Sequence, residues 1–313
     1  MYRYIIKRVL LLVPIILGVS FIIFTILYFI PGDPGTNLLG QSATEEDIKK
    51  YNDEIGYNDP FFVRYFSYIG NVFLKFDFGN SYRNRMPVIN ELAKKVPVSV
   101  KLSFGSILVS LLIGIPIGIL SAVKQYSLLD KIPTAIAMFF ASIPAFIIGL
   151  VLMLIFGLRL GWLPVTGITS GAKSYVMPVA CLGIVYGAQQ MRFTRSSMLE
   201  TIRQDYVRTA KAKGAPRQTV IWRHALKNAL LPVITVAGSS FGGLIGGAIA
   251  TETLFGLPGL GTYISESIKY KDVPAVMGGI IVFATLYAVI ILLVDLSYAF
   301  VDPRIKAKYS GKR

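Results

Sequence analysis

Six stretches of the chain are apolar almost without interruption: 9–30, 98–123, 133–157, 175–191, 230–250 and 275–300. A helix needs about 20 such residues to cross the ~30 Å hydrocarbon core of a bilayer, so each stretch predicts a transmembrane helix. The fourth is the shortest, and Gly183, Gly187 and the polar pair Gln189-Gln190 interrupt it. Between the first two stretches lies a longer mixed segment, 31–98, with helical patterns of its own. "SATEEDIKKYNDEIG" predicts a short helix with Ser42 as N-cap, Glu45 at the third position and Gly56 near its end. In "DPFFVRYFSYIGNVFLKF", Phe62, Tyr65, Phe66, Ile69, Val72 and Phe73 recur at helical spacing. That pattern predicts an aromatic-rich amphipathic helix, either lying along the membrane interface or packed within a small outer cap.

Composition agrees with lipid as the solvent. Of 313 residues, 54% are hydrophobic and 16% charged, against about 25% charged in a soluble domain; the mean hydropathy is +0.60. The net charge of +15 does not form one face of a soluble domain, as nucleic-acid binding would require. It is split into short segments between apolar runs, and nucleic acid is excluded as a partner. The N-terminal run of 22 apolar residues after Arg3, Lys7 and Arg8 ends in "IPGDPG". It is longer than a secretory h-region and has no small-residue cleavage site, so a retained first span is expected.

Lys and Arg accumulate on the cytoplasmic side. Three precede the first span, two lie in "VKQYSLLDK", nine in 192–229 and five in the tail from Asp302. The segment 31–98 carries eight basic residues offset by nine acidic ones. Six spans with both termini inside place every strongly basic short loop on one side; five would put the basic tail outside. The expectation is an all-α polytopic membrane protein with six transmembrane helices. Residues 1–98 form the first span and an extracytoplasmic segment; residues 99–313 form a five-helix core.

Catalytic chemistry is missing. There is no G-x-x-x-x-G-K-[ST] phosphate loop. The single histidine, His224, lies in a basic loop and the single cysteine, Cys181, in an apolar run, so neither a disulfide nor a Cys/His metal site is expected. Ionisable groups within spans are the default functional positions in a membrane protein, and Asp295 in the sixth span is the clearest. Lys101 is close enough to the end of its span to snorkel, and Arg192 and Arg195 fall at the inner end of the fourth. An ion-coupled secondary transporter would keep several carboxylates near the midplane. One off-centre Asp295 fits pairing with a neighbouring cation or a backbone group better.

In the fifth span, Gly238, Gly242, Gly246 and Ala250 recur every four residues, and Gly243 with Gly247 makes a second such pair. Small residues at this spacing permit close helix contact in lipid. They serve packing within the subunit, a helix lining the translocation path, or both. The basic loop at 192–229 has a shape that topology alone does not require. Leu199, Ile202, Tyr206 and Ala210 fall on one helical face, Gly214 and Pro216 break the helix, and Trp222, Leu226 and Leu230 align on a second one ending at Leu231-Pro232. A net charge of +7 suits an anionic lipid surface. The helix–break–helix shape suits insertion into a groove of a cytosolic protein.

The segment "DYVRTAKAKGAPRQTVIWRHALKNALLPVIT" resembles the EAA loop of binding-protein-dependent ABC importer permeases, in the peptide/nickel branch. "GDPG" after the first span, "DFGNSY" at 77–82, "SIPAFIIGL" at 142–150, "LGWLPVTG" at 160–167, "ETLFGLPGLG" at 252–261 and "DPRI" at 302–305 resemble the same family, in order and over nearly the whole chain. The long outer segment resembles the first of the two permeases in dipeptide and oligopeptide systems. The resemblance implies a type I ABC importer permease fold and alternating-access import of di- or oligopeptides, with nickel or a nickel chelate as the alternative. It implies no catalytic or metal site here, since ATP and Mg would bind two partner ATPase subunits. The other implied partners are a second homologous permease and an extracytoplasmic solute-binding protein, in a bacterial-type cell membrane. Gly214 would be the loop glycine, with Arg208, Thr209 and Ala210 at the Glu-Ala-Ala positions and Asp205 a nearby acidic substitute. Tyr206, Lys211, Ala212, Lys213, Leu231 and Pro232 complete the implied coupling loop. Arginine at 208 and the longer distance from Gly214 to Leu231-Pro232 depart from the broad superfamily pattern.

Overall fold

The structure, a computed structural model, describes the backbone of residues 2–40 and 43–301 and the side chains of residues 10–40, 43–245 and 248–296. Among these residues the regular structure is helical, with one isolated antiparallel bridge between Asn80 and Pro87. The chain forms two compact units. One comprises Ile5–Ser99 with Pro258–Ala288, and the other is built mainly of Val100–Leu257 with the end of the last helix from Val289.

The first unit begins with α1 (Tyr2–Phe29), followed by α2 (Pro34–Leu39), α3 (Glu45–Glu54) and α4 (Phe61–Lys75). Helix α3 is capped by Thr44, whose Oγ1 accepts from the Asp47 amide at 3.2 Å and donates to the Asp47 carboxylate at 2.6 Å. The cap thus lies two residues beyond Ser42, which is outside the described residues. Helix α4 packs along α1: Phe61 meets Phe21, Phe24 and Tyr28 edge-on, and the Tyr65 hydroxyl donates to the Leu17 carbonyl at 3.0 Å. Its apolar face is split. Tyr65 and Val72 are buried, Val72 in a cluster with Ile16 and Ile281, whereas Phe62, Phe66 and Phe73 remain exposed. The "DFGNSY" turn is held by the buried carboxylate of Asp272, which accepts from Ser81 Oγ at 2.5 Å and from the amides of Tyr82 at 3.0 Å and Arg83 at 3.4 Å.

Helix α5 (Val88–Val123) contributes to both units. In the second it is followed by α6 (Leu128–Ser142) and α7 (Ala145–Leu152), then a π-helical stretch at Met153–Arg159. There follow α8 (Lys173–Ile202), α9 (Asp205–Ala212), α10 (Arg217–Thr219) with a π turn at Val220–Ala225, α11 (Leu226–Gly247) and α12 (Ile249–Leu254). Helix α13 (Leu260–Lys269) and the start of α14 (Val273–Val301) belong to the first unit.

Among the described residues, four helices are individually long and apolar enough to cross a bilayer, within α1, α5, α10–α11 and α14, which correspond to the first, second, fifth and sixth expected spans. The third expected span is not one rod. Helices α6 and α7 meet at 97°, at Ile143-Pro144, where the proline disfavours the helical conformation of the residue before it and the backbone of Ile143 is extended. The fourth expected span lies inside α8, which runs well past residue 191 and is not apolar enough over any membrane-length stretch. Of the residues that break its apolar pattern, Gly183, Gly187 and Gln190 are buried against protein. A Cβ at Gly183 would meet Val109 of α5 at 2.7 Å, and one at Gly118 of α5 would meet Thr194 of α8 at 2.6 Å. Buried Gln190 donates from Nε2 to the Val233 carbonyl of α11 at 3.1 Å. Helix α8 is the centre of its unit: α6, α7 and α11 all pack against it.

Candidate coupling loop and translocation cleft

The basic loop folds into more pieces than its sequence pattern predicts. The expected continuous face through Leu199, Ile202, Tyr206 and Ala210 is broken, since α8 ends at Ile202 and α9 starts at Asp205. Leu199 and Ile202 pack instead on a cluster of Ile119, Ala122, Met198, Ala225 and Ala229. The anchor of α9 is Val207, which is fully buried and contributes roughly 1.5–3 kcal/mol of apolar burial. Beside it the hydroxyl of half-exposed Tyr206 accepts from Asn228 Nδ2 at 2.9 Å. Asp205, Arg208, Thr209, Lys211, Ala212 and Lys213 are left on the exposed side, with Ala210 half-buried. Arg208 and Asp205 stand 4.0 Å apart, both well exposed, so little of the charge is neutralised within the loop.

Gly214 terminates α9 in the left-handed region, at φ +80°. The amide of Ala215 bonds the Ala210 carbonyl at 3.2 Å and that of Gly214 the Lys211 carbonyl at 3.0 Å, which is the Schellman termination that a glycine at this position makes possible. After Pro216 the chain enters α10, the π turn and α11. Here the expected face of Trp222, Leu226 and Leu230 is only partly buried: Leu226 is half-buried against the same cluster as Leu199, and Leu230 is half-buried. Trp222 is exposed, while Val220, Ala225, Ala229 and Val233 are buried. Small side chains lead because α11 lies close to α8, where Ser197 Oγ donates to the Ala229 carbonyl at 2.9 Å. Leu231 and Pro232 lie inside α11 and not at its mouth, and Pro232 leaves the Asn228 carbonyl without its helical partner. His224 is half-buried on the π turn.

The small residues of α11 divide by neighbour. A Cβ at Gly238 would lie 2.0 Å from Val294 of α14, whereas one at Gly243 would meet nothing within 4 Å. Gly242 is buried. Gly246 and Gly247 are on α11, but their surroundings lie outside the described residues. Asp295 is half-buried on α14, next to Val294. The tail motif "DPRI" lies outside the described residues.

The α6–α7 break opens a cleft that sequence periodicity did not show. Its volume is about 460 Å³, and it is lined by Ser142, Pro144 and Phe146 at the break, Tyr186 and Gln189 of α8, and Thr251 of α12, among others. Irregular backbone at membrane depth is tolerated where it is buried in protein or lines a water-filled cavity. Gln189 thus lines the cleft and Gln190 bonds a helix carbonyl; the sequence signal for both is the polar pair itself.

The family is decided by comparison with known proteins. The model of the "binding-protein-dependent transport system inner membrane component" matches residues 114–307, and the model of the N-terminal part of such membrane components matches residues 1–103. The chain belongs to this family. Two relatives match the permease over its length. The dipeptide transport system permease protein DppB of Alkalihalophilus pseudofirmus is 39% identical, with 98% of this chain and 100% of the relative covered. The glutathione transport system permease protein GsiC of Salmonella choleraesuis is 36% identical at the same coverage. Among solved structures, the inward-facing MetNI methionine ABC transporter aligns with a TM-score of 0.54 and 21% identity over 68% of this chain and 96% of that one. An amino acid ABC transporter aligns with a TM-score of 0.51 and 15% identity, over 69% and 94%. These two show the fold alone, an all-α polytopic ABC permease. The permease is a multi-pass inner-membrane transport subunit, not an enzyme, and works with ATPase and solute-binding partners.

Proposed function

We propose that the permease imports di- or oligopeptides, paired with a second, homologous but distinct permease subunit, and that residues 192–229 receive the ATP-driven movement. The names of the dipeptide and glutathione permeases support peptide as the cargo class. The carrying observation is one continuous helix. Helix α8 bears Tyr186 and Gln189 on the cleft and ends three residues before α9, whose exposed residues include Asp205, Arg208 and Lys211–Lys213. A chain without a phosphate loop takes its conformational work from a partner. Packed helices shift between discrete arrangements, so displacing α9 displaces α8 and re-forms the cleft. Both termini and the loop lie in the cytoplasm in this reading, and residues 1–98 contribute the outer face on which the solute-binding protein docks. Residues 99–313 carry the transport core, and Gly238, Gly242, Gly243, Gly246 and Gly247 line or pack its path.

Uptake of a labelled dipeptide into proteoliposomes holding the complete complex tests the assignment. ATP-dependent uptake is expected. Substituting Gln189 by Leu is expected to lower uptake while leaving ATPase association intact. Uptake by the isolated chain under an ion gradient would sink the reading.

A further inference from the structure

Asp130 opens α6 and is almost completely buried, yet no motif and no part of the coupling loop calls for a carboxylate there. Its Oδ1 accepts from Arg195 Nε at 2.6 Å, Ser121 Oγ at 2.5 Å and Thr134 Oγ1 at 3.4 Å. Its Oδ2 accepts from Arg195 Nη2 and from the Tyr126 amide, each at 2.9 Å. One carboxylate therefore ties together the end of α5, the α5–α6 turn, α6 and α8. The turn is itself shaped for this contact, with Tyr126 in the left-handed region at φ +67°.

Stability is a poor reason for such a pair. Desolvating both ions offsets most of their attraction, and buried pairs are often replaceable by apolar residues without loss. What two parallel N–H bonds to a carboxylate do supply is a fixed relative orientation of the elements that carry them. The location makes that orientation matter. Arg195 is seven residues before Ile202, the end of α8, so about 10 Å of helix separates it from the loop. Gln189 on the cleft is less than two turns away in the other direction. Asp130 begins α6, and the last residue of α6, Ser142, lines the same cleft. The pair thus fastens both walls of the cleft together at their loop-proximal ends.

We propose that Asp130 and Arg195 are positioning residues for transport: they lock α6 to α8, so that a shift of α9 moves the broken helix and changes the cleft. With the lock broken, the loop still engages the ATPase and supports hydrolysis, but the α6 wall no longer follows. This rests on the coupling role proposed for 192–229.

The test uses the complete complex in proteoliposomes, reading solute imported per ATP hydrolysed, hydrolysis rate and the melting temperature of the purified complex. Asp130→Asn is expected to lower solute per ATP at least about fivefold, the lower end of a typical coupling free energy, with hydrolysis changed less than about twofold. Arg195→Lys keeps the charge but not the fork, and is expected to show an intermediate loss at near-normal melting temperature. The exchanged pair Asp130→Arg with Arg195→Asp is expected to recover part of the ratio. In Arg195→Lys, an unchanged ratio, or uptake and hydrolysis falling together with the amount of folded complex, overturns the proposal. Should Asp130→Asn fail to assemble, Arg195→Lys decides. Gly214→Val separates the two levels. If it leaves the ratio unchanged, the coupling loop itself is wrongly assigned; if it lowers the ratio while Arg195→Lys does not, only the lock fails.

Discussion

Gly238 and Val294 touch so closely that no side chain fits between α11 and α14: a Cβ on Gly238 would lie 2.0 Å from Val294 Cγ2. Overpacking a close helix contact costs about 1–3 kcal/mol. Gly238→Ala is therefore expected to lower the melting temperature of the detergent-solubilised permease, and Val294→Ala to restore much of it in the same chain. Gly243→Ala, with nothing within 4 Å of the new carbon, is expected to leave it unchanged. Equal effects at the two glycines would show that the stripe is not divided as the geometry states.

At Gly214 the reasoning is different, because space is not the constraint. The φ of +80° is strained for any L side chain, while the surroundings are open. Gly214→Ala is expected to cost about 1 kcal/mol of local stability from backbone strain alone. A β-branched Val, stiffer still, is expected to unwind the end of α9. Insertion and expression should be normal in both. The readout is uptake per ATP in the assembled complex, with Val expected to fall further than Ala.

Asp33 gives a pH-dependent prediction in the outer segment. Burial pushes its carboxyl up, but bonds from Asn52, from the amide and hydroxyl of Thr36 and from Gly35 outweigh burial and hold it below the ordinary 3.8. Its folded value is thus the lower one, so the stabilisation is complete above 3.8 and is lost as pH falls through the folded value. The side chain caps α2 through the Thr36 amide at 2.9 Å and accepts from Asn52 of α3 at 2.7 Å. Asp33→Asn keeps a capping oxygen but not the charge that strengthens these bonds, and is expected to cost about 1 kcal/mol. Amide exchange in α2 should be faster in the variant at neutral pH and should match wild type well below 3.8. A difference that persists in acid would assign the effect to packing.

The first, second, fifth and sixth expected spans and the α9 break at Gly214 were legible because they depend on local chemistry: unbroken apolar length, and a glycine after a helical face. What escaped was set by tertiary contact. The bend at Ile143-Pro144 was written in the sequence as "SIPAF", but a proline in an apolar run reads equally as a kink within a span. The sequence pattern misplaces part of the loop's buried face because it points to large apolar residues as the anchors. Trp222 is exposed, and Val220, Ala225 and Ala229 are buried, since a close helix pair selects for small side chains. Asp130 and Arg195 are 65 residues apart, and each has an ordinary local explanation, a basic loop and a span end. No one-dimensional pattern joins them; the fold does.

The exposed face of α9 supplies the last prediction. Arg208 and Lys211 are exposed, and the Asp205 carboxylate nearest to Arg208 is 4.0 Å away, so the helix presents net positive charge to solvent. If that charge meets an acidic rim on the ATPase, it acts at longer range than the contact itself and is screened by salt. Arg208→Glu and Lys211→Glu are each expected to reduce recovery of the ATPase with the solubilised membrane complex several-fold in low salt. The deficit should narrow as salt weakens the wild-type interaction too. Lys124→Glu, at an exposed cation outside 192–229, is expected to leave recovery near the wild-type level. If all three behave alike, or if none changes recovery, the positive charge of α9 sets topology and not docking.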